Sequence, residues 1–573
     1  MLDLVLRGGT LIDGTGAPRV VADVGVRDGR IAAIGVVDEE ARREIDATGL
    51  VVCPGFIDIH THYDVQLMWD PAATPSPLHG VTTVIGGNCG FSIAPLRPGH
   101  ADYVMRLMAR VEGMPLDTLV AGASWDWEHF GEWLDRLAAT APTVNAGFLV
   151  GHSTVRRLVM GDAAVSEPAT EEQIAEMVAL VERSIEGGAL GFSSSLGEAH
   201  TDGDGQPVPS RAASHDEILA LCRVLRDHEG TVLEFISAMG EIPDDRIELM
   251  ADMSLAANRP LNWNLLGSLS PTQIWQQQLS ASDRAAERGA TVIALALPDV
   301  MKLRATTMLH QLDGWKRVLD LPADERRAAV ADPATRSALR DAVDAAAARG
   351  LGIVQQWDLI ELAESSGPDT DGCVGHTIAR IATDRALDPV DVLLDLVVPD
   401  ALPLTMVFPS LAPELGDTDE GWAVRREVWH DDRVVLGGSD AGAHLDLMCH
   451  ANYPTVVLGS YVRDRAVFTL EQAVNQMTDV PARLLGLRDR GRVEVGAHAD
   501  LVVFDPETVA SHPATARTDL PADGLRLYAE SIGVNHVFVG GNEIVTDGEL
   551  TGERGGRILR SGVDTETVTV PGG

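Results

Sequence analysis

Between residues 54 and 440, short apolar runs ending in small or polar residues alternate with helical patterns. That repeat of βα units leaves a chain few choices, because such strands pair in parallel and are covered by helices. The runs are Gly55–His62, Val81–Cys89, Val144–His152, Ala189–Ser195, Thr231–Ser237, Pro260–Leu266, Ala290–Leu297 and Arg433–Asp440. Eight units close a (β/α)8 barrel of the TIM type; the alternative for an α/β chain of this pattern is an open, doubly wound sheet.

At 573 residues the chain is far longer than a bare barrel of about 250. Residues 1–53 alternate apolar and polar side chains between Gly and Asp turns, and the same texture returns in HADLVVFDPETV and NHVFVGGNEIVTDGEL. The two ends, 1–53 and 490–573, are therefore expected to form one small β-sandwich domain outside a barrel spanning 54–489. The charged helical stretch over 298–350 reads as an insertion and a candidate lid over the barrel mouth.

Composition narrows the partners. With 85 acidic against 45 basic side chains, the net charge of -40 disfavours nucleic acid and anionic membranes. Hydrophobic residues at 45% and charged residues at 23% are ordinary for a globular protein, so the acidity reads as a solvated surface. Cys53, Cys89, Cys222, Cys373 and Cys449 are odd in number and widely spaced, which fits reduced thiols in a cytoplasm better than a disulfide framework. The first residues lack the pattern of an export signal, and no stretch of about 18 apolar residues occurs. A cytoplasmic protein without a membrane partner is expected, and a homo-oligomer is compatible with the sequence.

GFIDIHTH carries the sharpest chemistry. His60 and His62 stand two apart at the end of an apolar strand, so both imidazoles project to one side at the end of the barrel where active sites lie. Imidazoles on one rigid face suit zinc or a related divalent ion. In VVLGGSDAGAHLD, Asp440 follows the last strand, which closure of the barrel brings beside the first. It is placed both to ligate the metal and to move a proton as the catalytic residue. His444, four residues on, is a candidate for substrate. In VTTVIGGNCGFS the second strand ends at Cys89, whose thiolate is a strong soft ligand.

The GFIDIHTH, GGNCGFS and GGSDAG motifs resemble the amidohydrolase superfamily, specifically the N-acyl-D-amino-acid deacylase (D-aminoacylase) family. LVGHSTVR, DPATRSALRDA, LGSYVRDR and FTLEQAVNQMTDVPARLLGLRDRGRVEVGAHADLVVFDP extend the likeness over most of the chain. The resemblance implies a barrel flanked by a β-sandwich from both termini, and zinc-dependent release of the acyl group from an N-acyl-D-amino acid. It makes His60, His62, Cys89 and Asp440 functional. Many relatives bridge two metals with a carbamylated lysine; here the only lysines are Lys302 and Lys316, both in the insertion, which leaves Cys89 as the better bridging candidate.

The family pattern also implies histidines ending the fifth and sixth strands, and neither is present. TVLEFISAMG offers Glu234 instead, a further candidate ligand, and PLNWNLLGS offers Asn262 and Asn264. An asparagine carbonyl is a poor zinc ligand, so the two asparagines are read as substrate-binding groups and the site as holding one Zn2+ rather than two. His152 after the third strand and Arg304 in the insertion complete the candidate substrate contacts, the arginine through a bidentate fork on a carboxylate. The expected activity is metal-dependent hydrolysis of a small-molecule amide. A hydantoinase-like hydrolase of cyclic amides or imides, and a non-catalytic binding protein that kept the fold, are the alternatives.

Overall fold

The computed structural model describes the chain except residues 239, 268–272, 299, 306–308, 311, 349–354, 409–410 and 417. It divides into two compact units. The first comprises Met1–Asp299, Ser410–Leu445 and Cys449–Gly573, and the second Val300–Pro409 with Asp446–Met448.

Eight parallel strands of the first unit pair in chain order: β1 Phe56–Asp58, β2 Val81–Gly86, β3 Asn145–Gly151, β4 Gly191–Ser195, β5 Val232–Ile236, β6 Leu261–Asn264, β7 Val292–Ala296 and β8 Val434–Leu436. Helices over Glu171–Glu186, His215–Arg226 and Asp244–Ala257 occupy crossovers between successive strands, as parallel pairing requires. The strands are buried on both faces, which is why they read as apolar runs rather than alternations. The period of two is nevertheless visible in the packing. Ile57, Ile59, Ile85, Leu149, Leu295 and Val435 share an interior cluster with Leu485 and Leu487, while Phe56, Val84, Phe148, Phe192, Phe235 and Trp263 belong to the larger core that includes the surrounding helices. The interior is thus filled by side chains, as in barrels of this class. Beyond the ends of β1 and β8 the ring is joined by a parallel bridge between Thr61 and Ala441.

Both termini build one nine-stranded sheet. Its N-terminal strands are Leu2–Leu11, Val20–Arg27, Arg30–Gly35, Ala41–Asp46 and Val51–Pro54. The seam is the antiparallel pair Val51–Pro54 and Leu501–Phe504, with Cys53 opposite Val502. Alternation in LDLVLRGGTL sends Leu4 and Leu6 into a cluster with Val24, Val26, Val52 and Val503, and Val5 to the other face, into a cluster with Val37. Asp500 ties this sheet to the barrel. It forms a buried ion pair with Arg490, and it accepts hydrogen bonds from Asn145 Nδ2 on β3 at 3.1 Å and from the Gly540 N–H at 2.7 Å.

The second unit has its own core around Trp315, Val343, Leu393 and Met406. Helices at Trp315–Leu319, Ala323–Ala331 and Pro333–Ala348 fall within the stretch read as a helical insertion, several residues of which lie outside the described set. The unit also holds a three-stranded antiparallel sheet, Met301–Arg304, Leu404–Phe408 and Ile360–Leu362, and so extends well past residue 350.

Removing the Asp500 carboxylate strands a buried Arg490 charge, and breaking one partner of a buried pair costs about 3–5 kcal/mol. Asp500→Ala is therefore expected to lower unfolding stability by about that amount, read by denaturant titration; an unchanged midpoint would contradict the tie.

Candidate metal centre

β1 ends at Asp58, and the following residues run across the mouth, held from two sides. Thr61 N–H donates to Ile85 O at 2.9 Å, while His62 N–H donates to Ala441 O at 2.7 Å and Asp440 N–H to His60 O at 3.1 Å. Asp58 fastens the same two segments through its side chain, accepting from Ser439 N–H at 3.2 Å and from the Ser439 hydroxyl. Burial pushes its carboxyl up to about 6.

Cys89, Asp440 and His444 all have φ in the left-handed region, at 60°, 57° and 48°. Such values are uncommon for residues with a Cβ and concentrate where surrounding structure enforces them. Two glycines make the enforcement possible. A Cβ on Gly87 would lie 2.1 Å from Leu149 O, and one on Gly442 would lie 2.5 Å from His62 O. The GGNC and GGSDAG turns therefore pack backbone against backbone and aim Cys89 and Asp440 inward.

The result is a buried cluster. His60 Nε2 lies 3.3 Å from Cys89 Sγ, His62 Nε2 3.9 Å from the same sulfur, 3.0 Å from Asp440 Oδ1 and 3.5 Å from Glu112 Oε2. His444 Nε2, half-buried, stands 3.8 Å from Asp440 Oδ2. Two overlapping triads, His60/His62/Cys89 and His62/Glu112/Asp440, each have their donor atoms within 4.8 Å of one another. Burial and the neighbouring His62 push His60 down to about 3. Burial would lower His62 as well, but Glu112 and the Asp440 hydrogen bond overcome it and carry His62 up to about 10. Asp440 is held far below the carboxylate range by His62 despite its burial, and Cys89 is pushed up by burial and by Glu234. Nitrogen, sulfur and oxygen donors converging in a buried pocket, with Glu112 Oε1 lacking a hydrogen-bond partner among the described residues, are chemically suited to a divalent ion such as zinc. Binding such an ion would displace the protons that His62 and Cys89 otherwise keep.

The other residues singled out by sequence are placed differently. Glu234 belongs to neither triad: its Oε2 accepts from the Cys89 N–H at 2.9 Å and its Oε1 from the Asn264 amide, and burial pushes it up to about 8. Asn264 thus stands beside His60 with its amide nitrogen engaged by Glu234. Asn262, two residues earlier on β6, donates to Ile293 O at 3.3 Å and lines a cavity with Ile59, Ile85 and Leu149 whose volume of about 20 Å³ suits roughly one water. His152 begins a helix, His152–Met160, and both its ring nitrogens are engaged, Nδ1 with Ser194 Oγ at 2.8 Å and Nε2 with Glu217 Oε1 at 2.9 Å. It is fully buried and does not meet the mouth as expected. Arg304 lies on a strand of the second unit, where its backbone N–H donates to Leu447 O at 2.6 Å.

Two contributors escaped the sequence reading. Glu112 caps the C-terminus of helix Ala101–Val111, and no strand pattern or nearby motif marks it. His200 follows β4, with Nδ1 3.0 Å from Ser195 Oγ and its ring against Phe91; burial pushes it down to about 4 even though Asp440 acts in the opposite direction.

A model of the amidohydrolase family matches residues 43–545. D-aminoacylase of Alcaligenes xylosoxydans xylosoxydans is 34% identical over 562 residues, covering 97% of either chain. The chain belongs to the amidohydrolase family. Among solved structures, a D-aminoacylase described by its binuclear metal centre, with one-metal activation and second-metal attenuation, superposes with a TM-score of 0.63 at 30% identity, covering 98% of this chain and 100% of the other. The N-acyl-D-glutamate deacylase of Bordetella bronchiseptica, complexed with zinc and a phosphonate mimic of the tetrahedral intermediate, gives 0.61 at 27% identity over the same shares. This amidohydrolase is accordingly a metal-dependent hydrolase of carbon–nitrogen bonds other than peptide bonds, of the N-acyl-D-amino-acid deacylase type, and that reading prevails over a cyclic-amide hydrolase or a binding protein.

The His152 network gives a pH test. Burial alone would raise the Glu217 carboxyl, but His152 and Arg156 outweigh it and hold it below its ordinary value of 4.5. A depressed folded-state value contributes stability above the unfolded-state value and loses it as pH falls through the folded one. Glu217→Gln is therefore expected to melt below wild type at neutral pH, with the difference shrinking below about pH 4. A difference that stays constant across thermal melts from neutral to acid would contradict the network.

Proposed function

We propose that this amidohydrolase releases the acyl group from N-acyl-D-amino acids with a single zinc-class ion held by His60, His62, Cys89 and Asp440. The observation that carries the reading is the buried convergence of His60, His62 and Asp440 across the closed mouth, with 3.0 Å between His62 Nε2 and Asp440 Oδ1. One ion rather than two is favoured because both oxygens of Glu234 are taken up by the Cys89 N–H and the Asn264 amide. A divalent ion in this donor set supplies Lewis acidity, lowering the pKa of a water and polarising the amide carbonyl.

The remaining work falls to the side chains. Asp440, kept ionised by His62, accepts the proton of the attacking water and returns it to the leaving nitrogen. The pocket around it excludes bulk water, with His60, His62 and Cys89 each under a tenth exposed. His444, half-buried beside Asp440, is the group we assign to substrate contact. His152 and Asn262 are read instead as structural. Cytoplasmic residence is supported by five free cysteines. No helix of the described residues is long and apolar enough to cross a membrane.

Purified enzyme is expected to hydrolyse N-acetyl-D-amino acids, and to leave their L-isomers and hydantoins largely intact in a chromatographic assay. Hydantoin opening as fast as D-deacylation would overturn the substrate class. Asp440→Asn should lower kcat by about 10²–10⁴-fold, the contribution of a positioned general acid–base; near-normal kcat in the folded variant would remove Asp440 from the proton path.

A further inference from the structure

Glu112 belongs to the second donor triad, with His62 and Asp440, yet the reading above does not use it. It comes from a helix end, not a barrel strand, yet it is only 3% exposed. Its segment is clamped to the loop after β8: the His444 N–H donates to Glu112 O at 2.5 Å, and Gly113, at φ +59°, lies so close to His444 that a Cβ there would be 3.2 Å from His444 Cα. The clamp delivers the side chain to the same nitrogen that Asp440 uses, with His62 Nε2 3.5 Å from Glu112 Oε2 and 3.0 Å from Asp440 Oδ1.

The pairing makes this arrangement informative. Asp440 has the imidazoles of His60 and His444 at 3.7 and 3.8 Å in addition to His62, whereas Glu112 is paired among the described residues with His62 alone. Burying an uncompensated charge costs several kcal/mol. Glu112 Oε1 has no hydrogen-bond partner among the described residues, so this buried carboxylate is left with a His62 that it shares with Asp440. Glu234, the other buried glutamate nearby, has both oxygens hydrogen-bonded and needs no cation. We infer that Glu112 is a direct ligand of the divalent ion, supplying an oxygen donor from outside the barrel strands and completing the set formed by His60, His62, Cys89 and Asp440. This rests on the single-ion reading above.

The inference is tested on the intact chain. Glu112→Gln keeps the size of the side chain and removes its charge. Zinc affinity, measured by competition with a chromophoric chelator, should fall at least about tenfold, since even groups behind the ligands are worth about 10–100-fold. The visible spectrum of the cobalt(II)-substituted variant should differ from wild type. Stripped of metal, the variant should melt at or above the stripped wild type, because a buried charge has gone. A stripped variant that melts lower and binds zinc as tightly as wild type would make Glu112 only the ion-pair partner of His62 and overturn the inference. Independently of whether the variant folds, a zinc-loaded crystal of wild type should place a Glu112 oxygen at about 2.0–2.2 Å from the ion. An ion bound without that contact overturns the inference alone, whereas a wild-type protein that takes up no divalent ion overturns the single-ion reading with it.

Discussion

Everything at the mouth depends on how the first and last barrel strands are joined. The strands themselves are short, and the junction is made beyond them, by two backbone hydrogen bonds between residues 60–62 and 440–441 and by Asp58 gripping Ser439. The groups that close the ring are thus immediate neighbours of the groups that line the site. Stability and chemistry share the same few residues, and the left-handed backbone at Cys89, Asp440 and His444 is the mark of that sharing.

The electrostatics follow from the same confinement. With little water to solvate them, the histidines separate into one kept neutral and one drawn toward charge by two carboxylates. Such a division, imposed by burial and close partners, is what allows similar side chains to take different roles within one pocket. The depression of Asp440 and the elevation of Cys89 belong to this balance.

The barrel and its metal-directed strand ends were legible because strand and site obey the same rule: an apolar run closes on a polar residue that must face the mouth. His60, His62, Cys89 and Asp440 each end such a run, and the structure gathers their side chains. Glu112 escaped because it reaches the cluster from a helix terminus by a clamp between distant loops, which leaves no local pattern. His152 was misjudged for the opposite reason. It ends a run of the right kind, but Ser194 and Glu217 on neighbouring elements saturate its ring. Asn262 faces inward like Asn264, yet one step lower in the barrel, where the space suits a water and not a substrate. Strand periodicity tells which face a side chain takes; it does not tell how deep, nor what else competes for its polar atoms.

The seam between Val51–Pro54 and Leu501–Phe504 bears on how the molecule comes into being. Its partners are about 450 residues apart in the chain, so the Val51–Pro54 edge stays unpaired until synthesis has passed Phe504. During that interval the growing chain must protect Val51, Val52 and Cys53, which are fully covered in the finished protein. Long-range pairing of this kind forms late and slowly. The barrel lies between the two halves of the seam, so truncation near the C-terminus would do more than trim a peripheral sheet: it would leave the foot of the first barrel strand without its covering.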